Sequence, residues 1–170
     1  EQWGPSIQVR GLKLDRLLER PVYHISYSHA GNSHVVLADA LNGTLLPAIN
    51  EAMATKIAEH DFAPEAAVRQ VQLIENVEDG AQYRGGALPG WKISFEHESN
   101  TDIYVSAETG RVTARRNTTW RIFDFLWMLH ILDFENRDNF NTLLLQVAAA
   151  LGVITIVSGF ILWCMTTTLF

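Results

Sequence analysis

From Asn139 to Phe170 the chain carries no Asp, Glu, Lys or Arg. A helix needs roughly 20 apolar residues to cross a hydrocarbon core about 30 Å thick, and NTLLLQVAAALGVITIVSGFILWCMTTTLF has length to spare. The run is too long and too far from the N-terminus to be a signal peptide. It predicts one transmembrane helix, about Thr142 to Met165. What precedes it has room for one small domain and a connector. The sole cysteine, Cys164, sits inside the run, which excludes an intramolecular disulfide, a CxxC pair and a zinc quartet. A net charge of −6 without a basic domain argues against nucleic-acid binding. The chain opens at Glu1 without methionine and closes at Phe170 without a charged stop, so both ends are expected to be cut or processed.

The soluble part repeats itself. PVYHISYSHAGNSHVVLADALNGTLLP, from Pro21, superimposes on PGWKISFEHESNTDIYVSAETGRVT, from Pro89, with one residue dropped in the second copy. Tyr23 meets Trp91, Ile25 meets Ile93, Tyr27 meets Phe95 and His29 meets His97. After the gap Val36 meets Ile103, Ala40 meets Ala107 and Gly43 meets Gly110. Self-similarity of this kind means one supersecondary unit used twice. Tyr23, Ile25 and Tyr27 alternate with His24, Ser26 and Ser28, the two-residue period of a half-buried strand. Asn42-Gly43 and Thr109-Gly110 mark tight turns. Between the copies, NEAMATKIAEHDF predicts a helix capped by Asn50, with Met53, Ala54 and Ile57 on one face. Pro64 ends it, and VRQVQLIENV alternates as a strand. The fold class is α+β, each small antiparallel sheet under a helix. The expected segments are 1–49 and 50–117 for the two units, 118–138 for an interfacial helix and linker, and 139–170 for the membrane helix.

This order of helix, strand and aromatic hairpin ending in DALNGTLLP or SAETGRVTARR resembles the PepSY domain. The VRG of Val9 to Gly11, and WRIFDFLWMLHILDFENRDNFN followed by a membrane helix, resemble membrane-associated PepSY proteins of bacteria. The resemblance implies a periplasmic soluble portion on the inner membrane and a further membrane helix before Glu1. It also implies a role beside ferric-siderophore reductases and membrane redox chains, or in modulating proteases. It brings no set of catalytic residues.

The residues themselves offer little catalytic chemistry. There is no GxSxG elbow and no phosphate-cradling glycine loop. His60-Asp61 reads as a helix terminus. His24, His29 and His34 read as solvated hairpin histidines, so no metal site and no catalytic residue is assigned. His130 is the one candidate cofactor ligand, because imidazole is a usual axial haem ligand and polar groups in a membrane are expensive. The predicted membrane helix contains no histidine, so any haem would be shared with a partner and no cofactor is held by this chain alone. The competing reading is an amphipathic helix over Trp120 to Glu135 in the headgroup region. Trp120, Phe123, Trp127, Ile131 and Phe134 would dip into the lipid boundary or pack on the membrane helix. Arg121, Asp124 and Glu135 form its polar edge, and His130 keeps its tip in the interface. That reading is the favoured one. Arg111, Arg115, Arg116 and Arg121 read as a solvated basic edge against anionic lipid. By the positive-inside rule alone they would place the soluble part in the cytoplasm; the resemblance places it in the periplasm.

One feature of the membrane helix points to a protein partner. Ala148, Gly152, Thr155 and Gly159 step by four, three and four, forming a small-residue stripe that lets helix backbones approach closely. The chain is therefore expected to be a non-catalytic accessory subunit of a membrane complex, contacting other subunits through this stripe and through a sheet.

Overall fold

The computed structural model describes residues 7–77, 81–135 and 137–167. It divides into two compact units, Glu1–Thr119 and Trp120–Phe170.

The first unit holds two antiparallel sheets. The first runs β1 (Gln8–Leu17), β2 (Arg20–His29), β3 (Asn32–Asp39), and the second β4 (Val68–Ile74), β5 (Gly90–Phe95), β6 (Asp102–Ser106), β7 (Val112–Arg116). Helix α1 (Glu51–Asp61) lies between them in sequence. Asn50 caps it by accepting from the Met53 N–H at 2.9 Å, which satisfies one of the orphan donors of the first turn. Ala54, Ile57 and Ala58 are its buried residues. The β2–β3 turn is Ala30-Gly31 with φ of 51° and 84°, the two-residue hairpin turn whose twist matches the flanking strands.

The duplication holds at the level of single hydrogen bonds. In the first copy Ile25 faces Val36 across the hairpin, and in the second Ile93 faces Ile103. Gly43 N–H donates to Asp39 O and Ala40 N–H to Pro21 O; Gly110 N–H donates to Ser106 O and Ala107 N–H to Pro89 O. Both glycines have positive φ, 72° and 67°. The repeat also reaches further upstream than the aligned hairpins. In β1, Val9, Leu12 and Leu14 face Tyr27, Ile25 and Tyr23; in β4, Val68, Val71 and Leu73 face Phe95, Ile93 and Trp91. Both strands carry a register shift at the same place, Val9/Gly11 and Val68/Gln70.

One core serves both sheets. It joins Leu17, Val22 and Leu37 of the first sheet to Ile93, Phe95, Ile103 and Val105 of the second, with Ile49, Ala54, Ile57 and Ala58 between. Residues on both sides of the expected 49/50 boundary thus belong to a single packed body. The copies enter that core by opposite faces. The second uses Trp91, Ile93 and Phe95, as the alternation predicts. The first uses Val22 and Leu37, while Tyr23, Ile25 and Tyr27, on its other face, are half-buried as the alternation predicts. The expectation of a helix over each sheet also needs correcting. Among the described residues α1 packs against the second sheet, and the equivalent face of the first sheet carries no helix.

In the second unit, α2 (Thr118–Ile131) is joined by a short loop to α3 (Leu143–Thr167). Helix α3 is 25 residues long with no buried residue. Its length and composition suit a membrane span.

Candidate functional site

The polar groups of the first unit gather around Asp15. The Arg111 guanidinium donates to its carboxylate, as does the Arg16 N–H at 2.9 Å. These donors, with Arg111 first, hold the Asp15 carboxyl below its usual range. His24 Nε2 lies 3.7 Å from the same carboxylate. The attraction is outweighed: burial, reinforced by the Arg111 charge, pushes His24 below the ordinary imidazole value. At neutral pH His24 is therefore uncharged, and the contact is not a full ion pair. His24 is 7% exposed, so the reading of all three hairpin histidines as solvated fails for this one. The register sets His24 opposite Leu37 and His34 opposite Tyr27. Successive side chains alternate between faces, so the sheet separates those two rings. His29 is exposed at the end of β2. No group of three metal-ligating side chains occurs among the described residues.

The arginines expected to form a solvated edge are mostly engaged with protein. Arg111 pairs with Asp15. Arg115 Nε donates to Asp61 at 2.6 Å, and Arg115 Nη2 donates to the other carboxylate oxygen. Asp61 ends α1, where a negative charge opposes the helix dipole, and Arg115 offsets it. Asp61 in turn raises the Arg115 pKa further. Arg116 Nε donates to Gln82 O at 2.7 Å. Sequence gave no means of pairing these groups, because Arg111 and Asp15 stand 96 positions apart. An apolar groove of about 510 Å³ also opens in this unit, lined by Leu17, Leu18, Leu46, Pro47, Ile49 and Met53, with Glu19, Arg20 and Lys56 among its remaining lining residues.

In the second unit the expected interfacial residues fall into two groups. Phe123 and Phe134 are 61% and 52% exposed, and Trp120, Arg121 and Trp127 are partly exposed. Ile131 is buried, at 3%, so it packs against protein and does not dip into lipid. Asp124 does not belong to a solvated polar edge either: it is 3% exposed and paired with Arg137. The loop is organised by Asp133, whose carboxylate accepts from the N–H groups of Glu135, Asp138 and Asn139 at 2.9–3.3 Å. Thr142 Oγ1 then caps α3 by accepting from Leu145 N–H at 3.2 Å. His130 is exposed, its ring 6.0 Å from that of Trp127. Along α3, Ala148, Gly152, Thr155 and Gly159 are all exposed. A Cβ on either glycine would meet nothing within 4 Å, and Thr155 Oγ1 folds back onto Leu151 O at 2.8 Å.

No family model matches the chain, and no curated protein matches it. Among solved structures, a putative lipoprotein from Clostridium difficile 630 is similar over 66% of this chain and 83% of its own, with 17% identity and a TM-score of 0.32. A likeness that low carries no argument about fold or function.

Proposed function

We propose that this chain is a membrane-anchored accessory subunit with no catalytic role of its own. On this reading its soluble unit is periplasmic, α3 anchors it in the bacterial inner membrane, and it binds the other subunits of a membrane complex. The observation that supports it best is α3 itself: a largely apolar helix of 25 residues, none buried, preceded by a helix whose Ile122, Phe123, Phe125 and Leu126 are each more than half exposed. Large apolar patches left open in this way mark protein or membrane contacts. The stripe of Ala148, Gly152, Thr155 and Gly159 is the surface offered to a partner helix. The context, an electron-transfer or ferric-reductase assembly, rests on the resemblance of the tandem hairpins and the WRIFDFLWMLH segment to membrane-associated PepSY proteins.

The test is purification of the tagged protein from its native membranes in gentle detergent, with the co-purifying chains identified by mass spectrometry. Haem, flavin or iron–sulfur proteins support the reading. A peptidase instead moves the protein to envelope proteolysis. Haem bound to the isolated chain, and lost in His130→Ala, makes it a redox subunit in its own right. Replacing Ala148, Gly152 and Gly159 together by Leu is expected to release the partner; an unchanged complex sinks the stripe as the contact.

A further inference from the structure

The duplicated register exposes a face that is closed in one copy and open in the other. In the second copy Val68, Val71, Trp91, Ile93, Phe95 and Ile103 belong to the core or pack against it, and α1 lies on that sheet. Their counterparts in the first copy are Val9, Leu12, Tyr23, Ile25, Tyr27 and Val36. Facing residues on neighbouring strands share one side of a sheet, so these six form a continuous apolar surface, with Leu14 beside Tyr23. It is open along β1, where Val9, Leu12 and Leu14 are 61%, 63% and 59% exposed, and partly exposed at Tyr23, Ile25, Tyr27 and Val36. Strand β1 matches β4 in pairing, in the place of its register shift and in the apolar residues it adds to the face. The second sheet also carries a fourth strand, β7, where the first has a single bridge between Ala38 and Leu45, but on the matched face the difference is the covering helix.

We propose that this face is the seat of a second α1-like helix, supplied by the chain itself from the segment ahead of Glu1. The spacing of α1 from Val68, carried over to Val9, places the body of the twin helix there. Its chemistry follows from α1, whose contact face is Ala54, Ile57 and Ala58 with Met53 beside them. The twin is an amphipathic helix of about three turns with small and aliphatic residues every three or four positions. It lies along the sheet and does not cross the bilayer. This inference is independent of which partners the protein has, and it removes the first sheet's outer face from the surfaces open to them.

The natural coding sequence ahead of Glu1 is expected to contain such a run within about 20 residues of Val9; its absence overturns the proposal. The physical test places Cys at Leu12 in a Cys164→Ser background and follows maleimide labelling in detergent. The chain from Glu1 is compared with the same chain carrying its natural upstream residues. The expected result is labelling at least ten-fold slower in the longer chain, at all protein concentrations. Equal rates overturn it. Protection that grows with protein concentration assigns the face to a second copy, and protection found only in native membranes assigns it to another chain; both overturn it. Amide exchange of β1 and β2 in chains lacking the introduced cysteine reads the same protection should the variant fail to fold.

Discussion

Gly43 and Gly110 close the same turn in the two copies, yet they are not equally replaceable. Each has positive φ, where a Cβ costs on the order of 1 kcal/mol. At Gly43 the new carbon meets open space; at Gly110 it would stand 2.5 Å from Leu17 Cδ1 and 3.3 Å from Ile49 Cδ1. Gly43→Ala is expected to cost about 1 kcal/mol, and Gly110→Ala an additional 1–3 kcal/mol, roughly, from overpacking; urea unfolding of the two variants checks the difference. The Asp15–His24–Arg111 group makes a second prediction. Both Asp15 and His24 have folded pKa values below their ordinary ones. The stability each contributes is therefore present above its unfolded pKa and is lost on acidification. The His24 share fades first as pH falls below about 6.5, and the Asp15 share below about 4. Unfolding midpoints at pH 8 and pH 5.5 are expected to differ in the wild type, and His24→Leu is expected to flatten that difference.

Among the elements, the α2–α3 connection stands out because its buried groups are charged. Asp124 is buried in α2, and Arg137 reaches it from the loop. Arg137 is partly exposed, but removing it leaves the buried Asp124 charge uncompensated, a loss of up to about 3 kcal/mol. Arg137→Leu is expected to loosen the loop, read as faster proteolysis between α2 and α3 in detergent. Asp124→Asn with Arg137→Leu is expected to recover part of that loss. This element also shows what sequence could and could not disclose. The 3–4 spacing of Trp120, Phe123, Trp127 and Ile131 announced a helix, and its two ends came within a few residues of those observed. Periodicity, however, assigns a face and not a partner, so it places Asp124 on a solvated edge and does not disclose its pairing with Arg137. The same limit hid the pairing of Arg111 with Asp15 and of Arg115 with Asp61. In α3 the absence of charge was enough, because composition and length alone decide whether a helix suits a bilayer.

At the scale of the whole molecule, the repeat was legible as an alignment of two hairpins. Its upstream strand was not, because Val9, Leu12 and Leu14 share little identity with Val68, Val71 and Leu73; pairing and the register shift reveal the match. The alternation of Tyr23, Ile25 and Tyr27 is legible as one half-buried face; that Val22 and Leu37, on the other face, enter a core shared by both copies is not. Two copies of one unit that meet in a shared interior cannot both present the same side to it unless related by a two-fold axis. Here they present opposite sides, and α1 packs on the second sheet. The membrane span makes a prediction of its own: the chain is expected to stay with the membrane pellet after alkaline carbonate washing, and a chain ending at Asp138 is expected to be released.

Because both copies contribute side chains to a single interior, neither half is a cassette. Leu17, Val22 and Leu37 lose their neighbours if residues 50–117 are taken away, and Ile57 and Gly110 lose Leu17 if the first copy is removed. The two similar copies thus form one packed object. Grafting a hairpin from this protein into another, or swapping its two copies, is therefore expected to yield an unfolded chain and not a working half.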